Sequence, residues 1–185
     1  MRVRNVVLKV VACAAIGALS LAGVAAQAPA RGGGAAQPQA ARVHGNLAQV
    51  MRGILFPSSN VIFSVQTVDP ATFKPAADPA TSPNPLTSTY GGWVAVENSG
   101  LALAESANLL IVPGRLCENG RPVPMQNEDW RMWVQGLRDA GMSAYKAAQA
   151  KNQDGVLDAA GEVAEACANC HEKYRDGPQG AMRCG

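Results

Sequence analysis

The stretch VLDAAGEVAEACANCHEKY, residues 156–174, decides the fold. Its apolar and small residues recur at spacings of four, three, four, three and four, as Val156, Ala160, Val163, Cys167, Cys170 and Tyr174. This heptad spacing places them along one side of an α-helix, where they can pack against neighbouring helices. Asp154 is a signal for the start of the helix, and Gly177-Pro178 is a signal for its end. The stretch therefore predicts a long amphipathic helix that belongs to a helical fold.

Three further amphipathic segments precede this helix. The first covers residues 42–66, and Pro57 should kink or break it because proline lacks an N–H and clashes with the preceding turn. The second covers residues 92–112, and the third begins near Asn127, a favourable N-cap residue. Residues 67–89 form a proline-rich loop, and we identify no internal repeat and no strand pattern. The predicted fold class is all-α, an antiparallel four-helix bundle.

The N-terminal segment is predicted to be a targeting signal. Residues 1–26 combine three basic residues, an apolar run and a small-residue site at 24–26, the pattern of a secretory signal peptide. The alternative is an uncleaved anchor, but the run is short beside the roughly 20 apolar residues that span a membrane. We expect export, periplasmic or otherwise, with no stable membrane insertion after cleavage. Residues 27–41 are predicted to be a flexible tether, and residues 42–185 the folded domain.

Composition excludes several classes of function. Without the signal segment the chain keeps 13 basic and 14 acidic residues, so it is nearly neutral. It has no basic patch suited to nucleic acid and no long run of like charge. It also offers no acid–base pair or nucleophile constellation outside the motif described next, so we do not expect an enzyme. The oligomeric state stays open, a homodimer included.

Cys167, Cys170 and His171 spell C-x-x-C-H, the attachment signature of c-type haem. Two thiols that add across the two vinyl groups of a haem must lie about one helical turn apart, as residues i and i+3 do. His171 follows directly, so its imidazole can reach the iron from the same side. The motif predicts one covalently attached haem c, with His171 as an iron ligand.

Three other uses of the motif are weaker. A thioredoxin-like C-x-x-C is typical of a βαβ unit, which the sequence does not contain. A structural zinc site needs about four ligands, so Cys117, Cys184 and His44 would have to supply the remainder. A disulfide between Cys167 and Cys170 fits an α-helix poorly.

Cys117 and Cys184 are candidates for a disulfide of their own. Export would place them in an oxidising compartment. In an up-down bundle, the loop after the second helix and the end of the fourth helix lie at the same end of the molecule. The alternative is two unpaired thiols.

Three stretches resemble the class II c-type cytochromes, the family of cytochrome c′ and its low-spin relatives. CANCHEKYR, residues 167–175, is similar to the family's C-x-x-C-H-x-x-[FY]-[RK]. EDWRMWVQGLRDAG at 128–141 resembles the third-helix segment, and LAQVMRGILF at 47–56 resembles the first helix of the low-spin members. The resemblance implies that Met51 binds iron and that Arg175 lies beside the proximal imidazole or a haem propionate. Pro57, the proline-rich loop and the two extra cysteines depart from the pattern.

The sixth iron ligand decides between two functions. Iron held by His and Met is closed and suits electron transfer, whereas iron held by His alone leaves a position for NO or CO. The candidates are Met51, His44 and no residue. Met51 is expected about 12 Å from the start of the first helix, and His171 about 7 Å from the end of the last helix. In an antiparallel pair the start of one helix lies beside the end of the other, so the two residues should lie at similar positions along the bundle axis. We therefore expect a one-electron carrier that serves redox partner proteins, with a five-coordinate, gas-binding protein as the alternative.

Overall fold

The computed structural model describes residues 42–176 and Cys184. The predicted signal peptide, the predicted tether and the Gly177-Pro178 pair lie outside the described residues. In the part that is described, the chain forms α-, π- and 3₁₀-helical segments and no β-strand, so the all-α prediction is confirmed. None of the described helices combines the length and the apolar character that a membrane span requires.

The first helix, α1, covers residues 47–64 in three consecutive segments. Leu47–Val50 is α-helical, Met51–Leu55 is π-helical and Phe56–Ser64 is α-helical. The helix begins later than the predicted start near residue 42. The reason is a capping box at Asn46, whose side chain accepts from the Gln49 backbone N–H at 2.9 Å while the Gln49 side chain accepts from the Asn46 N–H at 2.8 Å.

Pro57 does not break α1. The chain stays helical on both sides of it, and the turn that precedes it is widened. In that turn the Phe56 N–H donates to the Met51 carbonyl, five residues back. The Ser58 hydroxyl donates to the Ile54 carbonyl at 2.8 Å. A π-helical turn therefore accommodates the proline: the helix is disturbed before Pro57, as a kink or a break there would disturb it, but it does not break.

The proline-rich loop is more regular than its composition suggests. It contains three short 3₁₀ turns, Pro70–Thr72, Pro79–Thr81 and Pro85–Thr87. Each follows an Asp or Asn, so the loop repeats the pattern [DN]-P-[AL]-T three times, a repeat that our sequence analysis missed. Proline fixes φ at a value suited to the first helical position, and in two of the three turns the preceding residue, Asp69 or Asn84, caps the turn with its side chain. Pro70 and Leu86 are buried, so the loop contributes to the core.

Three further helices complete the described part of the chain. Helix α2 is Trp93–Ser106 and continues as the 3₁₀ segment Ala107–Ile111; α3 is Glu128–Gln149, and α4 is Gln153–Tyr174. Helix α1 packs against α2 and α4, and α3 packs against the same two helices. The predicted spans of these three helices agree with the structure to within a few residues.

Helices α2 and α3 approach each other closely at two glycines. A Cβ atom added to Gly100 would lie 2.6 Å from the Tyr145 backbone nitrogen. A Cβ atom added to Gly141 would lie 2.6 Å from the Ala104 backbone nitrogen. Because backbone atoms cannot move aside as a flexible side chain can, both positions require glycine.

Cys117 and Cys184 form a disulfide, which confirms the predicted pairing. Their Cα atoms are 5.9 Å apart, inside the range of about 4.4–6.8 Å that disulfides require. The Cys184 backbone N–H also donates to the carbonyl of Tyr174. The bond therefore joins the loop after α2 to a residue that contacts the end of α4.

Loss of this disulfide should lower the stability of the protein. The bond closes a loop with a sequence separation of 67 residues, so Cys117→Ser with Cys184→Ser should lower the free energy of unfolding by about 2–4 kcal/mol. Urea unfolding of the two proteins measures the difference. Reductant should destabilise the wild type and leave the double variant unchanged. Equal stability of the two proteins would contradict the prediction.

Candidate cofactor site

A large cavity lies where α1 begins and α4 ends. Its volume is about 660 Å³, within the range of roughly 300–1,000 Å³ that is typical of ligand pockets. All four helices and the 3₁₀ segment after α2 contribute to its walls. The walls are mostly apolar, with side chains that include Leu47, Leu55, Phe56, Phe63, Leu103, Leu110, Trp130, Trp133, Val134 and Leu137.

The three motif residues lie together at this cavity. Cys167, Cys170 and His171 occupy the last turns of α4, and all three line the cavity and are partly buried. Both cysteines are free thiols, so the structure does not contain the disulfide that was an alternative use of the motif. Because residues i and i+3 share a helix face, the two thiols are presented to the cavity from one side.

Burial determines the protonation of these groups. It raises the pKa of Cys170 to about 12, and the neighbouring Cys167 and Asp129 act in the same direction. Burial also raises the pKa of Cys167, although the Arg175 guanidinium opposes this. The pKa of His171 is lowered, first by burial and then by the Arg175 charge. At neutral pH the site therefore presents two protonated thiols and a neutral imidazole, the form of histidine that binds metals.

The structure brings two of the other predicted site residues to the cavity. Met51, the first residue of the π-helical segment, is partly buried and lines the wall that α1 contributes. Arg175, the C-cap residue of α4, lies at the exposed edge, where its Nε donates to Asp176 Oδ1 at 2.7 Å. His44 is exposed, precedes α1 and does not line the cavity. Of the two candidate sixth ligands, only Met51 therefore shares the cavity with His171.

A hydrogen-bonded group that the sequence analysis missed joins the end of α4 to the start of α3. The Tyr174 hydroxyl donates to Asp129 Oδ1 at 2.8 Å and accepts from the Asn127 side chain at 3.0 Å. Lys173 forms an ion pair with Asp129, and these hydrogen bonds lower the pKa of Asp129. Asn127 occupies the N-cap position as predicted, but its side chain makes no capping bond. Because Asn127 and Asp129 are far in sequence from Lys173 and Tyr174, no short sequence pattern predicts these contacts.

Aromatic rings hold Tyr174 from the cavity side. The Trp130 and Trp133 rings meet the Tyr174 ring edge-on, with centroid distances of 5.1 and 5.8 Å. The Trp130 ring nitrogen also donates to the carbonyl of Leu110 at 3.3 Å. Both tryptophans also line the cavity. These ring contacts and the hydrogen bonds of its hydroxyl therefore fix the position of Tyr174 and the orientation of the last turn of α4.

Charged side chains surround the opening of the cavity. Arg52 and Glu118 form an ion pair at 2.8 Å, and both line the cavity. Phe56 lies beside them with 65% of its surface exposed. The site thus has an apolar interior and a charged edge, which suits an amphipathic ligand.

A zinc site is disfavoured by the cysteine pairing. A fourth zinc ligand at the motif would have to come from Cys117, Cys184 or His44, but the two cysteines are bonded to each other and His44 does not line the cavity. Within residues 42–176 and Cys184, no three His, Cys, Asp or Glu side chains are grouped as metal ligands. The motif residues are therefore not assembled for a closed zinc site.

The assignment of this site rests on its own chemistry. Comparisons of the chain with protein-family models, with curated proteins and with solved structures give no significant match.

Proposed function

We propose that the chain is an exported monohaem c-type cytochrome that carries one electron. In this proposal Cys167 and Cys170 hold haem c covalently, and His171 and Met51 bind the iron. One observation carries the proposal: the three motif residues of α4 and Met51 of α1, which lies far from them in sequence, line the same apolar cavity. The proposal includes the antiparallel four-helix bundle and the likeness to the class II c-type cytochromes.

The residues around the cavity fit a haem. A porphyrin is a large apolar ring with two propionates, and the cavity has an apolar interior with Arg52 and Arg175 at its edge. The two motif thiols are unbonded and spaced by one helical turn, as addition to two vinyl groups requires. We assign Arg175 to a propionate or to the region beside the imidazole.

Each residue has a defined task in electron transfer. Bound haem would supply the one-electron chemistry of iron. A neutral His171 is ready to coordinate, because burial already disfavours its protonated form. The Met51 thioether is a soft ligand that favours ferrous iron and raises the potential. The surrounding apolar wall excludes water and lowers the local dielectric constant, which also favours the less charged, reduced site.

The motif thiols should be required for haem retention. Exported protein made with a haem-ligation system should keep its haem through acid–acetone extraction. Cys167→Ser with Cys170→Ser should be isolated almost entirely as apoprotein, because no thiol remains to bond the vinyl groups. The matched control is Cys117→Ser with Cys184→Ser, which removes two other cysteines and should keep its haem. Wild-type haem that extracts freely, or an intact mass without haem, would refute covalent attachment.

A visible spectrum separates the two functions. Oxidised and reduced spectra of the wild type should be low-spin, and CO should leave the reduced spectrum unchanged. A reduced protein that is high-spin and binds CO readily would favour the five-coordinate, gas-binding alternative. A protein without a haem spectrum would refute both.

A further inference from the structure

The part of α1 that lines the cavity has an unusual repeat. Its lining residues include a series that recurs at every fourth position, Leu47, Met51, Leu55, Ser59 and Phe63, and four of these are followed by a neighbour that also lines the cavity. Successive residues of an α-helix are rotated by about 100° about the helix axis. Four residues therefore rotate by about 400°, which is about 40° more than one full turn. Over the four steps from Leu47 to Phe63, a regular α-helix would accumulate about 160°. Leu47 and Phe63 would then face nearly opposite directions.

The π-helical segment removes most of this rotation. A π-turn holds one residue more than an α-turn, so it cancels the rotation of one residue, about 100°, out of the accumulated 160°. The remaining rotation is about 60°, narrower than the apolar face of roughly 100° that an amphipathic helix presents. The residues on both sides of the segment can therefore line one cavity only because Met51–Leu55 is wound more loosely than an α-helix.

Pro57 explains why the segment lies where it does. Proline has no N–H to donate to the carbonyl four residues back, and its ring clashes with that carbonyl, here that of Gly53. In the structure the Phe56 N–H instead reaches back five residues to Met51. Gly53 is exposed, and a Cβ there would meet no atom within 4 Å, so no neighbouring group packs against the wide turn at this position.

We propose that Pro57 is a positioning residue: by enforcing the π-helical segment it turns Met51 towards the cavity, and so towards the iron. The proposal rests on the function proposed above. Downstream of the segment, α1 is anchored by Ile62 and Val65, which are 0% and 1% exposed. Upstream, Leu47 and Val50 are each 8% exposed. Loss of the wide turn should therefore rotate the upstream end, which contains Met51.

Two variants test this proposal together. Pro57→Ala should allow a regular α-helix, rotate Met51 by about 100° and free the sixth position. The iron should become high-spin, and CO uptake should rise from undetectable to stoichiometric. Pro57→Ala combined with deletion of Gly53 removes the extra residue along with its cause, so it should return Met51 to the cavity and restore the low-spin spectrum. A merely destabilising effect of Pro57→Ala would not be reversed by a deletion.

A second readout needs no iron. Iodoacetamide alkylation of Met51, mapped by mass spectrometry relative to Met132, which is 60% exposed, reports the surroundings of the thioether in the full chain. The ratio should change several-fold in Pro57→Ala and return to the wild-type value in the deletion variant. A Pro57→Ala protein with the wild-type ratio would overturn the positioning role, and so would a changed ratio that the deletion does not restore. A wild type without a His–Met spectrum would instead refute the proposed function, and the alkylation ratio would still decide the role of Pro57.

Discussion

In the proposed cytochrome, Met51→Ala should convert a closed, low-spin iron into an open, high-spin one. Alanine supplies no ligand, and the removed side chain leaves space in the wall that α1 contributes, so CO or NO should bind where the wild type should bind neither. The reduction potential should fall, because the thioether that stabilises ferrous iron is lost. Absorption spectra of both oxidation states, CO titration and a potentiometric titration measure the three effects.

Two controls make this result specific. Met132→Ala removes a methionine that is 60% exposed and does not line the cavity, so it should leave the spectrum unchanged. His44→Ala should also leave it unchanged, because His44 lies outside the cavity. An iron that opens in His44→Ala but not in Met51→Ala would show that the ligand assignment is wrong.

Gly100→Ala and Gly141→Ala should each destabilise the protein by about 3 kcal/mol, the upper end of the usual range for overpacking. Each added methyl would lie 2.6 Å from a backbone nitrogen of the facing helix, so α2 and α3 must separate. Typical domains are stable by only about 5–15 kcal/mol, so each single loss is a large fraction of the total. The double variant should lose less than the sum of the two single losses, because both methyls force apart the same pair of helices. Urea denaturation followed by circular dichroism measures the loss.

Two other helical glycines serve as matched controls. A Cβ added to Gly136 in α3 or to Gly161 in α4 would meet no atom within 4 Å. Alanine there should stabilise the protein by about 0.4–1 kcal/mol, because it restricts the unfolded chain. If Gly100→Ala behaved like Gly161→Ala, the close approach of α2 and α3 would be contradicted.

The sequence predicted the elements whose signals are local. The heptad spacing from Val156 to Tyr174 reports a helix face directly, and α4 ends at Tyr174, close to the predicted stop. The start of α1 was wrong because the capping box at Asn46 and Gln49 was overlooked, although it is readable in the sequence. The repeated [DN]-P-[AL]-T pattern in the loop was likewise readable and was missed.

The rest depended on contacts between distant residues. Proline at position 57 predicts a disturbance of the helix, but whether the helix breaks or widens is decided by the packing of the residues on both sides. The same holds for Asn127, whose side chain bonds Tyr174 instead of capping its own helix. The motif predicted the thiols and His171 as a local unit. Met51 could be assigned only through helix heights and a resemblance, and the structure adds that it lines the same cavity.

The bond between Cys117 and Cys184 has a consequence for how the protein matures. Four cysteines follow residue 26, and four thiols that all become oxidised can pair in three ways. Every one of those pairings consumes Cys167 and Cys170, whereas the single bridge of the structure leaves both of them available. Wrong pairs are resolved by thiol–disulfide exchange, which an isomerase accelerates. The yield of protein whose motif thiols are free to bond haem should therefore depend on the isomerase capacity of the production host more than on its oxidising power.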